Sequence, residues 1–307
     1  MKIGIDIGGT KCAVIAGDHN GIFRKSQFPT SDPARTLMHI SQLIREFDVH
    51  ADSIGICCGG PLDTQGGRIL SPPNLIGWDD IPITDYLSNM FQIPAYLCND
   101  ADAGALAEHR YGIGKGIDNL IFLTFGTGMG AGMILNGKLY QGRCGMAGEI
   151  GHIRMQDYGP VGYGKSGSFE GFCSGGGIAQ LGKTFALERL QMGKPLPYCQ
   201  TLEDLDKLDA KLLAEQAQAG DKTAHEVFRL SAEMLGRGVS ILIDILNPEM
   251  IILGSIYTRS YPLMEHYMEE VIKKEALFKS ALFCTVIRSY LGEQIGDYAA
   301  LAVAYGI

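Results

Sequence analysis

The chain has 307 residues, of which 46% are hydrophobic and 20% are charged, and its formal net charge is −8. A chain of this length can bury one large core or two medium ones. The sequence contains no cluster of Lys or Arg that could neutralise a row of phosphates. We therefore expect neither a nucleic acid nor an anionic membrane surface as a partner.

The sequence carries no signal for secretion or membrane insertion. Met1 leads directly into a strand-like segment, and no apolar run reaches the roughly 18 residues of a membrane span. The eight cysteines are scattered through apolar segments, which is typical of reduced, buried thiols in a chain with a core of this size. These features predict a cytoplasmic protein.

Short apolar runs typical of buried strands alternate with segments of helical periodicity. The predicted strands are 2–6, 11–16, 53–58, 95–98, 119–124, 130–135 and 250–253. The predicted helices include 36–47 and 221–246, and a polar helix with its connections is expected within 203–222. The alternation predicts an α/β fold, and the Gly-rich stretch 113–117 is the candidate hinge.

One pattern occurs twice: an apolar strand, a tight turn of Gly and Thr, and a second apolar strand. The turn residues are Gly8, Gly9 and Thr10 in the first copy and Gly126, Thr127 and Gly128 in the second. Glycines leave no Cβ in the way, so that backbone N–H groups can point at phosphate oxygens. Each turn alone is typical of a plain β-hairpin, but the two together, with Asp6 placed to hold Mg²⁺, favour phosphate binding.

Two segments match the residue patterns of nucleotide-binding motifs, but the secondary structure predicted around them does not fit either motif. Residues 126–131 fit the dinucleotide pattern G-x-G-x-x-A, but a strand is predicted where that motif requires a helix. Residues 159–166 fit the P-loop pattern, but no buried strand precedes them and residues 167–177 are too rich in glycine for the long helix that should follow. We reject both motifs and expect Lys165 to be an exposed loop lysine.

Polar residues stand out where a strand is predicted to end. Asn99 and Asp100 follow an apolar run and precede a helix, at the edge of the sheet where α/β proteins bind ligands. Asp100 fits either a helix cap or a general base that takes the proton of an attacking hydroxyl. Further polar residues among glycines or apolar residues are Asn74, Glu149, His152 and Glu170. Singly each is typical of a cap or surface residue, and together they fit the recognition of a polyol.

These segments resemble the sugar kinases of the ROK family (repressor, open reading frame, kinase), within the actin-like ATPase superfamily. The resemblance covers nearly the whole chain and is carried by DIGGT at 6–10, GGPLD at 59–63, PNLIGW at 73–78, NDA at 99–101, LTFGTGMG at 123–130, GEIGH at 148–152, and NP at 247–248 before IILG at 251–254. It also takes in the closing helix at 296–304. It implies a two-domain actin-like ATPase (ribonuclease H-like) α/β fold with the active site in the interdomain cleft. Residues 1–116, completed by a C-terminal helix at 293–307, would form one domain and residues 117–292 the other.

The resemblance also implies a reaction, the ATP-dependent phosphorylation of the 6-hydroxyl of a hexose in the presence of Mg²⁺, and it implies a homodimer. By resemblance, Asp100 is the catalytic base. The implied sugar-binding residues are Gly60, Asn74, Asn99, Glu149, His152 and Glu170. The implied nucleotide-binding residues are Asp6, Gly8, Gly9, Thr10, Lys11, Gly126, Thr127, Gly128 and Gly254, and no residue is assigned to a resident metal.

The sequence departs from the family pattern at three places. Val161, Tyr163 and Ser168 stand where the family has three zinc-binding cysteines, so we expect no structural zinc although His152 is kept, and we expect Tyr163, Phe169 and Phe172 to hold the loop by packing. Asp102 replaces a common Asn, where it could raise the pKa of Asp100 or could simply be solvated. Ser255 replaces the second Gly of a pair, which could alter the adenine pocket.

The residues leave the sugar open. Glucose is favoured because nothing signals space for an acetamido group, while N-acetylmannosamine, N-acetylglucosamine, fructose and β-glucosides fit the same residues. A different phosphoryl donor, such as polyphosphate, also remains open. A sugar-responsive repressor is disfavoured, because the first phosphate strand begins at Ile3 where a helix-turn-helix would be expected. A sensor that binds sugar without transfer is a further alternative.

Overall fold

The computed structural model describes residues 1–306 of the chain. Its strands are β1 Lys2–Ile7, β2 Lys11–Asp18, β3 Gly21–Pro29, β4 Ser53–Cys58, β5 Leu62–Asp63, β6 Arg68–Ile69, β7 Ala95–Asn99, β8 Leu120–Phe125, β9 Met129–Leu135, β10 Lys138–Leu139, β11 Val161–Gly162, β12 Lys165–Ser166, β13 Met250–Leu253 and β14 Thr285–Arg288. Its helices are α1 Pro33–Phe47, α2 Ile83–Phe91, α3 Asp100–Arg110, α4 Phe169–Phe172, α5 Gly175–Gln191, α6 Ala210–Gln218, α7 Lys222–Leu246, α8 Ile256–Glu275, α9 Phe278–Leu282 and α10 Ile295–Val303. Turns of 3₁₀ helix lie at Ile150–His152, Leu202–Lys207 and Gly292–Gln294.

Two five-stranded sheets form the framework of the fold. The first has the order β3-β2-β1-β4-β7, in which β1, β4 and β7 run parallel, β2 pairs antiparallel with β1, and β3 pairs antiparallel with β2. The second has the order β10-β9-β8-β13-β14, in which β13 and β14 are parallel. The predicted α/β architecture is confirmed, and each strand predicted from an apolar run is present.

The chain divides into two compact units. The first unit holds Met1–Phe122, Gly132–Ala147 and the chain from Ser289 onward, and the second holds Leu123–Ala131 and Gly148–Arg288. Two of the four boundaries between these segments fall within β8 and β9, after Phe122 and after Ala131. The hinge expected at 113–117 stays a prediction. The two functional domains expected from the sequence remain a prediction, because a division into compact units does not show which residues move together.

In the first unit, helix α10 packs directly on the parallel strands. A Cβ atom at Gly4 would lie 2.7 Å from the backbone nitrogen of Leu301, and one at Gly55 would lie 2.2 Å from that of Ala304. Helix α1 packs on the other side of the sheet with buried residues that include Leu37, Ile40 and Ile44. The parallel strands are thus buried on both faces, which explains why their sequences are continuous apolar runs.

In the second unit, helix α7 is the central support. It begins at the cap Asp221, whose side chain accepts the backbone N–H of Ala224, and it ends at Asn247 in the left-handed conformation. Phe169 is fully buried against α7, where a Cβ atom at Gly238 would lie 2.2 Å from the Phe169 ring. This contact fixes α4, which carries Glu170.

Two expectations from the sequence are corrected here, and one is confirmed. Helix α5 begins at Gly175, inside the stretch judged too rich in glycine for a helix, because Ser174 caps it by accepting the backbone N–H of Gly177. The helix expected within the polar stretch 203–222 is confirmed as α6, which a 3₁₀ turn precedes. All eight cysteines are free, but Cys144 is exposed and Cys284 is partly exposed, so the expectation of buried thiols is wrong for these two.

No helix within residues 1–306 combines the length and the apolar character that crossing a membrane requires.

Replacing Gly55 by Ala tests the packing of α10. We expect Gly55→Ala to lower the free energy of unfolding by about 1–3 kcal/mol, because the added methyl group meets backbone atoms that cannot rotate away. Chemical denaturation followed by circular dichroism measures the change. Gly176→Ala is the control, because its Cβ would meet only Ser174 Oγ at 3.9 Å, and we expect unchanged or slightly higher stability. Equal stability of the Gly55→Ala variant and the parent would contradict the described packing.

Candidate active site

In the first unit, one edge of the parallel strands brings the predicted polar residues together. Asp6 lies beside Cys57 in the register of β1 and β4, and Cys57 lies beside Cys98 in β7. Asn99 ends β7 and Asp100 opens α3. The carboxyl ends of parallel strands are where α/β proteins bind ligands, so these residues occupy the expected edge.

Asp100 presents an exposed carboxylate at the first position of α3. Partial removal from bulk water raises the pKa of this carboxyl group, and hydrogen bonds from the backbone N–H groups of Ala101 and Asp100 oppose the rise. Repulsion from Asp102 is not among the causes of the shift. A raised pKa makes the carboxylate a stronger base, which suits proton abstraction from a hydroxyl.

Asp6, at the same edge of the sheet, lies near the carboxylates of Asp297 and Asp100. Burial, with repulsion from Asp297 and then Asp100, raises the pKa of Asp6 to about 6. Asp297 is itself buried and accepts a hydrogen bond from Lys25 Nζ at 2.6 Å. Gly296 makes room for Asp6, because a Cβ atom there would lie 2.7 Å from Asp6 Oδ2.

The acidic edge fits a magnesium ion that arrives with a nucleotide. Mg²⁺ is commonly held by one or two carboxylates together with phosphate oxygens and water. Asp6 could supply such a carboxylate, and a cation there would relieve the repulsion that raises its pKa. Within residues 1–306, no group of three or more His, Cys, Asp or Glu side chains is arranged to hold a metal by itself.

The first glycine turn lies between β1 and β2. Its Gly8 N–H donates to the carbonyl of Lys11 at 3.0 Å, and the Gly8 carbonyl accepts Thr30 Oγ1 at 2.6 Å. Gly9 adjoins Asn74, because a Cβ atom at Gly9 would lie 2.6 Å from the Asn74 carbonyl oxygen. The turn is thus fixed on its protein side. The residues of this region that are exposed to solvent are Gly9, Thr10, Lys11, Gly60 and Asn74.

Asn99 and Asp102 form a closed pair at the start of α3. Asn99 Oδ1 accepts the backbone N–H of Asp102 at 2.8 Å, and Asn99 Nδ2 donates to Asp102 Oδ2 at 3.1 Å. Asp102 is fully buried. The alternative that Asp102 is simply solvated is therefore wrong.

In the second unit, the second glycine turn lies against the start of a helix. Gly126 N–H donates to the Gly128 carbonyl at 3.0 Å, and the Gly126 carbonyl accepts the N–H of Gly175, the first residue of α5. A helix N-terminus carries partial positive charge and favours anions. The sequence analysis missed this helix start, although Ser174 before three glycines was a usable capping signal.

Glu170 joins the second turn to the predicted sugar-binding residues of this unit. Glu170 Oε2 accepts the backbone N–H of Met129 at 3.1 Å, and a Cβ atom at Gly128 would lie 2.7 Å from the same oxygen. Gly151 packs on Glu170, and it lies between Glu149 and His152, both of which are exposed. Only glycine at 128 and 151 permits this close arrangement.

Gly254 also belongs to this neighbourhood. It is buried after β13, and its N–H donates to the Leu123 carbonyl at 2.9 Å. Ser255 follows it with a positive φ of 53°, and its side chain lies near Gly126. The structure thus places Gly254 and the second turn at adjacent strands.

The loop that departs from the zinc motif is a hairpin of β11 and β12. Lys165 Nζ donates to the His152 carbonyl at 2.6 Å. Lys165 is thus a partly buried, hydrogen-bonded residue of β12, and the expectation of an exposed loop lysine is wrong. Ser168 is buried as the cap of α4. Phe169 and Phe172 are buried, as expected, but Tyr163 is 80% exposed and contacts the His152 ring edge-on, so its predicted packing role is wrong.

Several partners in these sites were invisible in the sequence. Lys25 and Asp297 are 272 residues apart, and no local pattern marks Lys25. Gln141, whose Nε2 donates to Asp102 Oδ2 at 3.3 Å, lies in an irregular loop. By contrast, Asp297 carries a usable signal, because it is a carboxylate that follows Gly296 at the start of an otherwise apolar closing helix.

Comparison with known proteins identifies the family. The model of the ROK family matches residues 2–305. A glucokinase of Thermotoga maritima is 29% identical over 98% of this chain and 96% of its own length, and an N-acetylmannosamine kinase of Escherichia fergusonii is 28% identical over 99% and 98%. A xylose repressor of Caldicellulosiruptor bescii is 32% identical over 73% of this chain and 55% of its own length.

A solved structure has the same fold. The ROK family glucokinase from Streptomyces griseus, in complex with glucose and AMPPNP, superposes with a TM-score of 0.79 over 99% of each chain at 27% identity. This likeness confirms the predicted actin-like ATPase fold class. The chain belongs to the ROK family.

Proposed function

We propose that this ATP-dependent sugar kinase transfers the γ-phosphoryl group of ATP to the 6-hydroxyl of a hexose, with glucose as the preferred acceptor. The observation that carries the proposal is Asp100, an exposed carboxylate of raised pKa at the end of a parallel strand and near Asp6. The name of the Thermotoga maritima relative and the glucose bound in the Streptomyces griseus structure support glucose.

In the proposed reaction, Asp100 accepts the proton of the sugar hydroxyl as its oxygen attacks the γ-phosphorus. The new oxygen–phosphorus bond forms, the bond to the β-phosphate oxygen breaks, and ADP leaves. Backbone N–H groups of the two glycine turns and of the α5 N-terminus would hold phosphate oxygens. Mg²⁺, when bound with the nucleotide near Asp6, would neutralise phosphate charge.

The sugar hydroxyls would be bound by the predicted set. Glu170 uses one oxygen for the Met129 N–H and keeps acceptor capacity on the other. Glu149 and His152 are exposed, Glu149 directly before the 3₁₀ turn and His152 at its end. The remaining members are Gly60, Asn74 and Asn99, and Gly254 would line the adenosine.

Two other readings have specific support. The N-acetylmannosamine kinase relative favours an N-acetylhexosamine as acceptor, and fructose and β-glucosides are further candidates within the family. The xylose repressor relative favours a protein that binds sugar as a signal. Turnover separates a kinase from a sensor, and the acceptor panel separates the kinases.

The test of the proposal is ADP release from Mg-ATP with glucose, fructose, N-acetylmannosamine, N-acetylglucosamine and a β-glucoside, against a blank without sugar. We expect turnover above the blank, highest with glucose and unchanged by a zinc chelator. Thermal stabilisation by a sugar without turnover would contradict the kinase and support the sensor. Polyphosphate in place of ATP tests the donor.

We also propose, from the family resemblance, that the protein is a cytoplasmic homodimer. Light scattering of the purified chain measures the mass, and a monomer across the micromolar range would contradict the dimer.

Asp100→Asn tests the catalytic base. We expect kcat to fall about 10²–10⁴-fold, because the amide cannot accept the hydroxyl proton. Sugar affinity, measured by calorimetry without ATP, should change little, since the side chain keeps its shape. Asp85→Asn, at an exposed aspartate in the first turn of α2, is the matched control and should keep full activity. A kcat above a tenth of the parent value in Asp100→Asn would exclude this role.

Asp6 predicts a pH dependence of stability. Its pKa of about 6 in the folded state lies above the ordinary value of 3.8, so the folded chain binds this proton more tightly than the unfolded chain does. Stability from this group is present below pH 4 and is lost as the pH rises through 6. We therefore expect Asp6→Asn, without ligands, to melt a few degrees higher than the parent at pH 7.5 and to lose this advantage near pH 4.

The same variant should be nearly inactive at every pH, because it lacks the carboxylate proposed to face Mg²⁺. Melting curves of both proteins between pH 4 and 8 measure the difference. A difference in melting temperature that does not depend on pH would contradict the raised pKa.

A further inference from the structure

Asp102 is a buried carboxylate to which the proposed reaction gives no part. It is 0% exposed in the first turn of α3, and buried carboxylates persist when hydrogen bonds compensate their lost hydration. One oxygen, Oδ2, accepts from two side-chain amides: Asn99 Nδ2 at 3.1 Å and Gln141 Nε2 at 3.3 Å. Asp102 is thus built into the surroundings of Asn99.

The two contacts between Asn99 and Asp102 fix which end of the amide faces which way. The backbone N–H of Asp102 can only donate, so the Asn99 atom facing it at 2.8 Å must be the oxygen. The other Asn99 atom is therefore the nitrogen, and it donates to Asp102 Oδ2 at 3.1 Å. A flipped amide would face a donor with a donor and an acceptor with an acceptor.

The two contacts with Asp102 leave hydrogen-bonding positions on Asn99 that a ligand can use. Of the two N–H groups on Asn99 Nδ2, one is used by Asp102, and of the two lone pairs on Oδ1, one is used by the Asp102 N–H. Asn99 therefore keeps one donor and one acceptor at fixed positions. A sugar hydroxyl can use either, but its orientation depends on which one it meets.

Helix capping alone does not account for the carboxylate. The cap needs only the Asn99 oxygen on the Asp102 N–H, and Ser, Thr or Asp at position 99 would supply one. The second contact, from Nδ2 to the carboxylate, holds the nitrogen end of the same amide, so that both ends of the Asn99 side chain are fixed. The cap does not need this second contact, whereas a ligand that binds the Asn99 nitrogen would benefit from it.

We propose that Asp102 is a positioning residue that locks the Asn99 amide in the one orientation that binds the acceptor sugar. The inference rests on the proposed function, in which Asn99 contacts the sugar. Without the carboxylate, only the capping bond to the Asp102 N–H would hold the Asn99 amide, and the sugar would have to order the nitrogen end, which lowers affinity. The effect is confined to the sugar, since Asn99 is not assigned to the nucleotide.

The first test compares Asp102→Ala with Asp102→Asn. We expect Asp102→Ala to raise the KM and the dissociation constant for the sugar about tenfold, with the KM for ATP unchanged. Asp102→Asn keeps an oxygen that can accept from Asn99 Nδ2, so it should stay within about threefold of the parent. A loss of sugar affinity in Asp102→Asn equal to that in Asp102→Ala would overturn the inference, as would an equal rise in both KM values.

A double-mutant cycle tests whether Asp102 acts through Asn99. Asn99→Ser keeps a capping oxygen but has no amide to orient. We expect Asp102→Ala to weaken sugar binding in the parent and to have no added effect in Asn99→Ser. Additive losses would show a merely structural role and would overturn the inference. If Asp102→Ala does not fold, Asp102→Ser, which cannot reach both amides, takes its place in the cycle.

Glu108→Ala is the matched control. Glu108 is also 0% exposed on α3, and its carboxylate accepts from Ser289 Oγ and from the Ile113 N–H. Both truncations should lower the melting temperature, but only Asp102→Ala should change sugar affinity. Calorimetry without ATP measures sugar affinity alone, so it tests the role of Asp102 independently of the proposed kinase activity. A parent chain that binds sugar but does not turn it over contradicts the kinase, and the comparison of sugar affinities still decides the role of Asp102.

Discussion

The close packing of α10 on the parallel strands of the first sheet is the contact on which the acidic edge depends. Gly4 and Gly55 lack side chains, so the helix backbone can lie directly on β1 and β4. Ser53 Oγ donates to the Ala304 carbonyl and fixes the end of the helix on β4. Because the far end is fixed, the start of α10 at Gly296 and Asp297 is held beside Asp6.

This placement gives the edge its electrostatic character. Asp297 and Asp100 both repel Asp6, and burial adds to their effect on its pKa. Lys25 forms an ion pair with Asp297, and the positive charge of Lys11, on β2, lowers the pKa of Asp6 in part. A fold selected for stability alone would not gather carboxylates in this way, because like charges in partly buried positions oppose one another. Such an arrangement becomes favourable when a cation and phosphates bind, so the cost is borne by the free protein and relieved by the ligand.

The sequence predicted the parts of the fold and site that depend on local pattern. Apolar runs located the strands, and the rule that ligands bind at the carboxyl ends of parallel strands located Asn99 and Asp100. The two glycine turns were found because their pattern repeats within the chain. Each of these signals lies within about fifteen consecutive residues, which is the range over which periodicity and turn chemistry act.

The remainder depends on tertiary contacts. The pairing of Lys25 with Asp297 and the approach of Gln141 to Asp102 join distant segments, and nothing near Lys25 or Gln141 marks them. Tyr163 was expected to pack because it is aromatic, but its position at the tip of a hairpin exposes it. Glycine content misled the prediction at α5, where the cap and the helix that follows outweigh the poor propensity of three glycines.

The hairpin of β11 and β12 shows how hydrogen bonds can hold a loop whose sequence lacks the cysteines of a zinc site. The side chain of Gln180 exchanges two hydrogen bonds of 2.9 Å with the backbone of Val161, and Arg154 donates to the Ser166 carbonyl at 2.8 Å. Lys165 closes the arrangement on the His152 carbonyl. These ties join the hairpin to α5 and to the turn that carries His152. Directional bonds from α5, from Arg154 and to the turn of His152 restrain the loop, and none of them requires a thiolate.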